Sequence, residues 1–310
     1  MGYLFAFFSA ISWAFGTISI VLSRHQLNPN IFNLYKNLIG FIFLSIILLV
    51  STFFSSEVFW VINYESIFLI ILSGILGSGL ADQIYIRSLS LIGSNLISVI
   101  ASSLSMFVLI FALILNLFFP SFFPAQKWPP ANLEILGFIL IIFAIILSSW
   151  QKNDYRNAKF PNIVLAVSAF MLMGLSANLT NSAIFLNTGT TLNIMCIILI
   201  RFIPAIIFQC CILIGTNTTK LELKSFFNLP VRTIYFATIG SLMISVIAIF
   251  FWTAGMKIES NNVTLFSLLA QTSNIMIFIA SWLILKEKIS NKKILGIIIS
   301  FIGIILIVST

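Results

Sequence analysis

The stretch ILGFILIIFAIIL at residues 135–147 is answered by ILGIIISFIGIIL at residues 294–306, with seven of thirteen positions identical. Ile and Leu match cheaply in so apolar a chain, but two further parallels rest on other residue types. Ile92-Gly-Ser-Asn95 opens one apolar run as Ile258-Glu-Ser-Asn261 opens another, and Lys36 in the second run is paralleled by Arg201 in the seventh. The chain reads as two like halves.

Composition sets the medium in which those halves fold. The 310 residues are 60% hydrophobic and 8% charged, with a mean hydropathy of +1.14; soluble domains carry about 25% charged residues. At roughly 20 residues per span, this length accommodates about ten membrane helices and leaves no room for a soluble catalytic domain. The net charge of +8 is explained by loop residues that set orientation rather than by nucleic-acid binding. Cys196, Cys210 and Cys211 fall in one apolar stretch and His25 is the sole histidine, so neither a disulfide framework nor a His/Cys metal cluster is expected. The first apolar run lacks a basic leader and is read as a span, not a cleaved signal.

Ten apolar runs follow one another, at about 3–22, 31–54, 66–86, 91–119, 133–150, 163–185, 192–214, 234–256, 263–285 and 294–308. A polar linker at 152–160 separates a first five-helix repeat, 1–151, from a second, 161–310. Five spans per half is an odd number, so like-folded halves enter the membrane with opposite orientation, the inverted-repeat arrangement of secondary transporters. The expected fold class is an all-α integral membrane protein of ten transmembrane helices.

Trp252-Thr-Ala-Gly255, Leu285-Lys-Glu287-Lys288, Leu295-Gly296 and Gly303 in the second half, with Ser12-Trp13-Ala-Phe-Gly16 and Lys36 in the first, resemble the EamA-type carriers of the drug/metabolite transporter superfamily. Two departures from that pattern stand out. The proline usual in the fourth and ninth helices is replaced near Met106 and Asn274, and Leu115-Asn-Leu-Phe-Phe119 lacks the Glu that Glu287 supplies in the other half. The resemblance implies a multi-pass protein of a bacterial cytoplasmic (inner) membrane, acting as a secondary transporter without ATP site, cofactor or metal, as monomer or homodimer. Its partners would be a small-molecule substrate and the lipid bilayer, with no nucleic acid.

Polar side chains in a hydrocarbon medium face protein or a wet cavity, so their spacing maps the inside of the bundle. Stripes at steps of three and four run through Ser9, Ser12, Gly16 and Ser19; Asn33, Lys36, Asn37 and Gly40; Ser78, Asp82 and Tyr85; and Ser98, Ser102 and Ser105. The second half repeats the pattern at Gly174, Asn178, Asn181 and Ser182; Ser241, Ser245, Ala248, Trp252 and Gly255; and Ser267, Gln271 and Asn274. The fifth and tenth runs lack such a stripe. Gly296, Ser300 and Gly303 offer only small residues for close helix packing, which marks these two as bracing helices around a polar cavity built by the other eight.

Ionisable groups are the sharper signal. Arg201 costs roughly +3 kcal/mol at mid-span, while the thirteen Ile, Leu and Phe between Leu192 and Leu213 return roughly −6 kcal/mol, so the helix inserts. Pro204 removes an amide one turn on, predicting a bend and a free carbonyl beside Arg201. Arg201 then either meets an anionic substrate group or pairs with Asp82 or with freed carbonyls. Lys36, early in its run, either snorkels to the interface or joins the cavity. Asp82 is the expected proton-coupling residue, with a permanent pair to Arg201 or Arg87 as the alternative. Glu287, among Lys286, Lys288, Lys292 and Lys293, is expected to form a structural or gating salt bridge.

Trp13, Tyr85 and Trp252 could stack a planar group or a cation, whereas Trp60, Trp128, Trp150 and Trp282 suit interfacial belts. The expected substrate-binding set is Trp13, Lys36, Tyr85, Asn178, Arg201, Trp252, Gln271 and Asn274. A cavity holding both cationic and acidic groups suits a zwitterion such as an amino acid. A nucleoside-containing metabolite such as S-adenosylmethionine is the alternative substrate, and a channel is the alternative class. A membrane enzyme would need a clustered catalytic set that the sequence lacks. Twelve of the sixteen Lys and Arg fall in odd-numbered loops and only Lys127 and Lys257 in even ones. The charge rule therefore puts both termini outside the cytoplasm, while the resemblance implies cytoplasmic termini.

Overall fold

The computed structural model describes residues 2–23, 28–54, 63–123, 132–149, 159–186, 191–215, 229–258, 263–287 and 289–308. Among them the chain forms ten helical runs: α1 (Gly2–Ser23), α2 (Pro29–Phe54), α3 (Tyr64–Ile92), α4 (Ser94–Phe118), α5 (Asn132–Ser149), α6 (Phe160–Phe185), α7 (Thr191–Gly215), α8 (Val231–Leu242 continuing to Ile258), α9 (Val263–Leu283) and α10 (Asn291–Val308). Apolar side chains cannot satisfy backbone polar groups, and helices pair those groups internally. Seven of these runs, α1 to α4 and α6 to α8, are long and apolar enough to cross a membrane, while the apolar part of α5, Ile135–Ser148, is shorter.

Boundaries follow local chemistry. Pro29 opens α2, and a proline stands in the first turn of α6, where the missing amide costs nothing. The third run extends past its expected end at residue 86 to Ile92, because the chain first turns at Gly93, whose φ of 82° favours glycine. The helical winding of α7 continues through Pro204. Irregular winding lies instead in α3 and α8, which carry π-helical segments at Gly74–Ala81 and Met243–Ala248. Such segments recur at functional sites.

The outside is apolar and much of the polar content is inside. Phe53, Phe54, Phe68 and Ile214 are exposed, while Ser9, Ser12, Asn33, Asn37, Ser78, Ser98, Ser102, Ser241 and Ser245 are buried, as the stripes predict. α1 packs on α8 and α9, and α6 on α3 and α4; α2 packs on α7, α4 on α9 and α5 on α10. Exchanging each helix with the one five places away maps this set of contacts onto itself. A Cβ at Gly296 would lie 1.8 Å from Ser148 Oγ, and one at Gly303 would lie 2.8 Å from the Gly137 carbonyl. The small residues of α10 thus admit α5 at close range, as expected of bracing helices.

Candidate functional site

Where α1, α2, α3 and α8 meet, Trp13, Ile20, Lys36, Asp82, Tyr85, Ile86 and Ile244 line a small cavity of about 10 Å³, the size of a single water. Lys36 Nζ pairs directly with an Asp82 carboxylate oxygen. Lys36 is 2% exposed, so it does not snorkel. Asp82 takes neither of its expected alternative partners, since Arg87 is exposed on the other side of the helix. Lys36 on α2 and Asp82 on α3 thus pair across neighbouring helices inside the bundle. Tyr85 Oη and Thr17 Oγ1 share a hydrogen bond of 3.1 Å, and the Tyr85 ring meets Phe170 edge-on at 5.8 Å between centroids, which fixes the phenol toward α1.

Arg201 packs against α3 one to two turns before Asp82, at Gly74 and Gly77, within coulombic reach of the Asp82 carboxylate. Its Nη2 donates to Ser176 Oγ at 3.0 Å and its Nε is buried without a partner. Among the described residues no carboxylate pairs with it; the ion pair they contain is Lys36–Asp82. Glycine makes the place: a Cβ at Gly77 would lie 2.2 Å from Ser176 Oγ and 2.5 Å from Arg201 Nη2, and one at Gly74 would lie 2.3 Å from the Arg201 carbonyl. Behind the guanidinium, Ser73 Oγ bonds Ser176 Oγ at 2.9 Å and Thr180 Oγ1 at 2.5 Å. The sequence reading missed this hydroxyl cluster, although Ser73 and Gly77, like Ser176 and Thr180, lie four residues apart and so share a helix face.

Other expected site residues are engaged elsewhere. Asn178 Nδ2 donates to the carbonyls of Val108 and Gly174, each at 2.9 Å, joining α6 to α4. Asn274 Nδ2 donates to Gln271 Oε1 at 2.6 Å within α9. Neither these nor half-buried Trp252 lines the cavity. Glu287 accepts from the backbone amides of Ser94 at 3.4 Å and Asn95 at 3.2 Å, placing a carboxylate at the positive end of α4. Left-handed Lys286, at φ 53°, turns the chain so that the carboxylate points there. Pro204 packs its ring against Gly74. Trp282 is exposed, as a belt residue should be; Trp60, Trp128 and Trp150 lie outside the described residues, as does the side chain of Ser267.

A protein of known crystal structure aligns over 98% of this chain and 95% of its own, with a TM-score of 0.62 at 12% identity, which establishes a shared fold. No curated protein matches the sequence. Residues 160–309 match the EamA-like transporter family. That match over the second half, on a bundle of apolar helices long enough to cross a bilayer, supports an EamA-type member of the drug/metabolite transporter superfamily and an integral multi-pass membrane protein.

Proposed function

We infer that the protein is a secondary transporter of ten spans in two inverted five-helix repeats, which moves a small zwitterionic metabolite of the amino-acid class by alternating access, with Asp82 as the proton-coupling group. The observation that carries this reading is Arg201: a guanidinium deep in an apolar bundle, held by one hydroxyl and by no carboxylate among the described residues. Burying a cation without a directly bonded counter-charge is unfavourable; Asp82 is within coulombic reach but pairs with Lys36, and an anionic group of a ligand would supply the missing contact. The carboxylate of Asp82, now occupied by Lys36, offers a place for the ammonium of the same ligand. The exchange symmetry of the helix contacts and the π segments in both third helices support the inverted repeat. Trp13 and Tyr85 in the lining favour a nucleoside-containing metabolite as the second reading, because a base could stack there.

Ligand-induced thermal stabilisation of the purified protein, screened over amino acids, nucleosides and nucleotide sugars, tests the class directly. For a stabilising carboxylate ligand, Arg201→Lys should weaken binding and Arg201→Ala weaken it further, because Lys cannot reproduce a bidentate contact. The amide analogue should lose little further affinity in the Ala variant. Equal proportional losses for acid and amide in folded protein would remove Arg201 from recognition.

A further inference from the structure

The path of the backbone through α3 deprives one carbonyl of its helical donor. The amide of Asp82 bonds the carbonyl of Gly77, five residues back, whereas α geometry would give that amide to Ser78. The Ser78 carbonyl is taken instead by Nδ2 of Asn33 and Nδ2 of Asn37, each at 3.0 Å. The Gly79 carbonyl takes Asn33 Nδ2 at 2.9 Å and Nε2 of Gln209 at 2.6 Å. Gln209 also donates to Gln83 Oε1 at 3.0 Å, and Gln83 to Asn30 Oδ1 at 2.6 Å. Asn33, Asn37 and Gln209 are all 0% exposed, and each leaves its carboxamide oxygen unpartnered. A buried amide that forgoes its acceptor bond is oriented by its donors.

We propose that Asn33, Asn37 and Gln209 form an amide clamp that selects the π register of Gly74–Ala81, and that this register sets Asp82 against Lys36. A π segment holds one residue more than the α-helix it interrupts. Rewinding it would turn everything beyond by about 100° and advance it by about 1.5 Å. Asp82 is the first residue beyond the segment, so the rewound helix carries its carboxylate off the ammonium. The clamp comes from α2, which bears Lys36, and α7, which bears Arg201. Motion of those helices against α3 therefore decides whether the two carbonyls keep their donors. In α8 the π segment ends at Ala248, whose carbonyl takes Ser9 Oγ at 2.9 Å, a lighter tie on a helix with no acid at that place. The three amides are positioning residues for Asp82. The consequence for transport rests on the reading of Asp82 as the coupling group; the clamp itself does not.

The test uses the full-length purified protein and the midpoint of thermal unfolding. In the wild-type background Lys36→Met lowers the midpoint, and adding Asp82→Asn recovers part of the loss, which measures the coupling of the pair. In an Asn33→Leu, Asn37→Leu background that coupling is expected to vanish. Deleting Leu80, which removes the surplus residue while keeping the glycine contacts before it, is expected to restore the coupling there. Amides that merely pack would leave the coupling intact, and the deletion would only lower the midpoint further; that result overturns the proposal. Should the double Asn variant not fold, Gln209→Met carries the same cycle. Uptake of amino acids by proteoliposomes under a pH gradient forms the separate arm. Coupling lost and restored as expected, with no pH-driven uptake by the wild type, removes the transport reading of Asp82 and keeps the clamp. Coupling unchanged in the clamp variants removes the clamp whatever the uptake shows.

Discussion

Alanine at Gly77 and alanine at Gly74 should do different things, although both glycines face α7. At Gly77 the new methyl meets Ser176 Oγ at 2.2 Å, Arg201 Nη2 at 2.5 Å and, less closely, Ser176 Cβ at 2.9 Å; at Gly74 it meets the Arg201 carbonyl at 2.3 Å and Pro204 Cγ at 2.8 Å. A side-chain end can swing away and a backbone carbonyl inside a helix cannot. Gly74→Ala should therefore force α3 from α7, with an overpacking cost of about 1–3 kcal/mol read as a lower unfolding midpoint. Gly77→Ala should cost less stability than Gly74→Ala, with Ser176 Cβ at 2.9 Å giving by a few tenths of an ångström, and push the guanidinium back on the order of 1 Å to reach ordinary contact, breaking its 3.0 Å bond to Ser176. The displaced guanidinium then misses the ligand carboxylate by the same distance, and since a hydrogen bond to a charged group contributes about 1.5–3 kcal/mol, a carboxylate ligand should bind about 10- to 150-fold more weakly. The assay is a thermal-shift titration with a carboxylate that stabilises the wild type, run on Gly77→Ala, Arg201→Ala and the double variant. The double variant should bind no worse than Arg201→Ala alone. Undiminished binding by folded Gly77→Ala, or losses that simply add, would refute the argument.

Asp82→Asn should abolish accumulation driven by a pH gradient in proteoliposomes while sparing expression and exchange of bound substrate; undiminished accumulation would take Asp82 out of the cycle. Glu287→Ala should remove the anion at the start of α4 and lower stability by about 1 kcal/mol, with Glu287→Gln between it and the wild type; identical midpoints for all three would show the contact to be energetically idle. A reporter fused to the C-terminus should signal outside the cytoplasm if loop charge sets the orientation, and a cytoplasmic signal would decide for the arrangement that the family resemblance implies.

The helical runs, their apolar outer faces and the pairing of α5 with α10 could be read from the sequence. A polar stripe in an apolar chain has nowhere to go but inward, and a seam of Gly296, Ser300 and Gly303 allows a close partner wherever that partner lies. Asp82, Lys36 and Arg201 stand out for the same reason, as charges in a medium that penalises them. Which charge meets which was not legible: Lys36 and Arg201 are parallel in the sequence, yet one pairs with Asp82 and the other with a serine. Depth along a helix fixes a residue's height and face but not the rotation of the helix packed against it. Asn178, Gln271 and Asn274 look like cavity residues by spacing and are spent on carbonyls or on each other, because a carboxamide serves packing as readily as a ligand. The π segments leave no mark on hydropathy. Winding one residue more into a turn changes neither composition nor the apolar run, and its freed Ser78 carbonyl, with that of Gly79 beside it, finds donors in Asn33, Asn37 and Gln209 that arrive from other helices. The sequence by itself determined a membrane-embedded helical bundle with Asp82 and Arg201 inside; the tertiary structure brought Lys36 in as well and decided the partners of all three, since those depend on contacts between helices far apart in the chain.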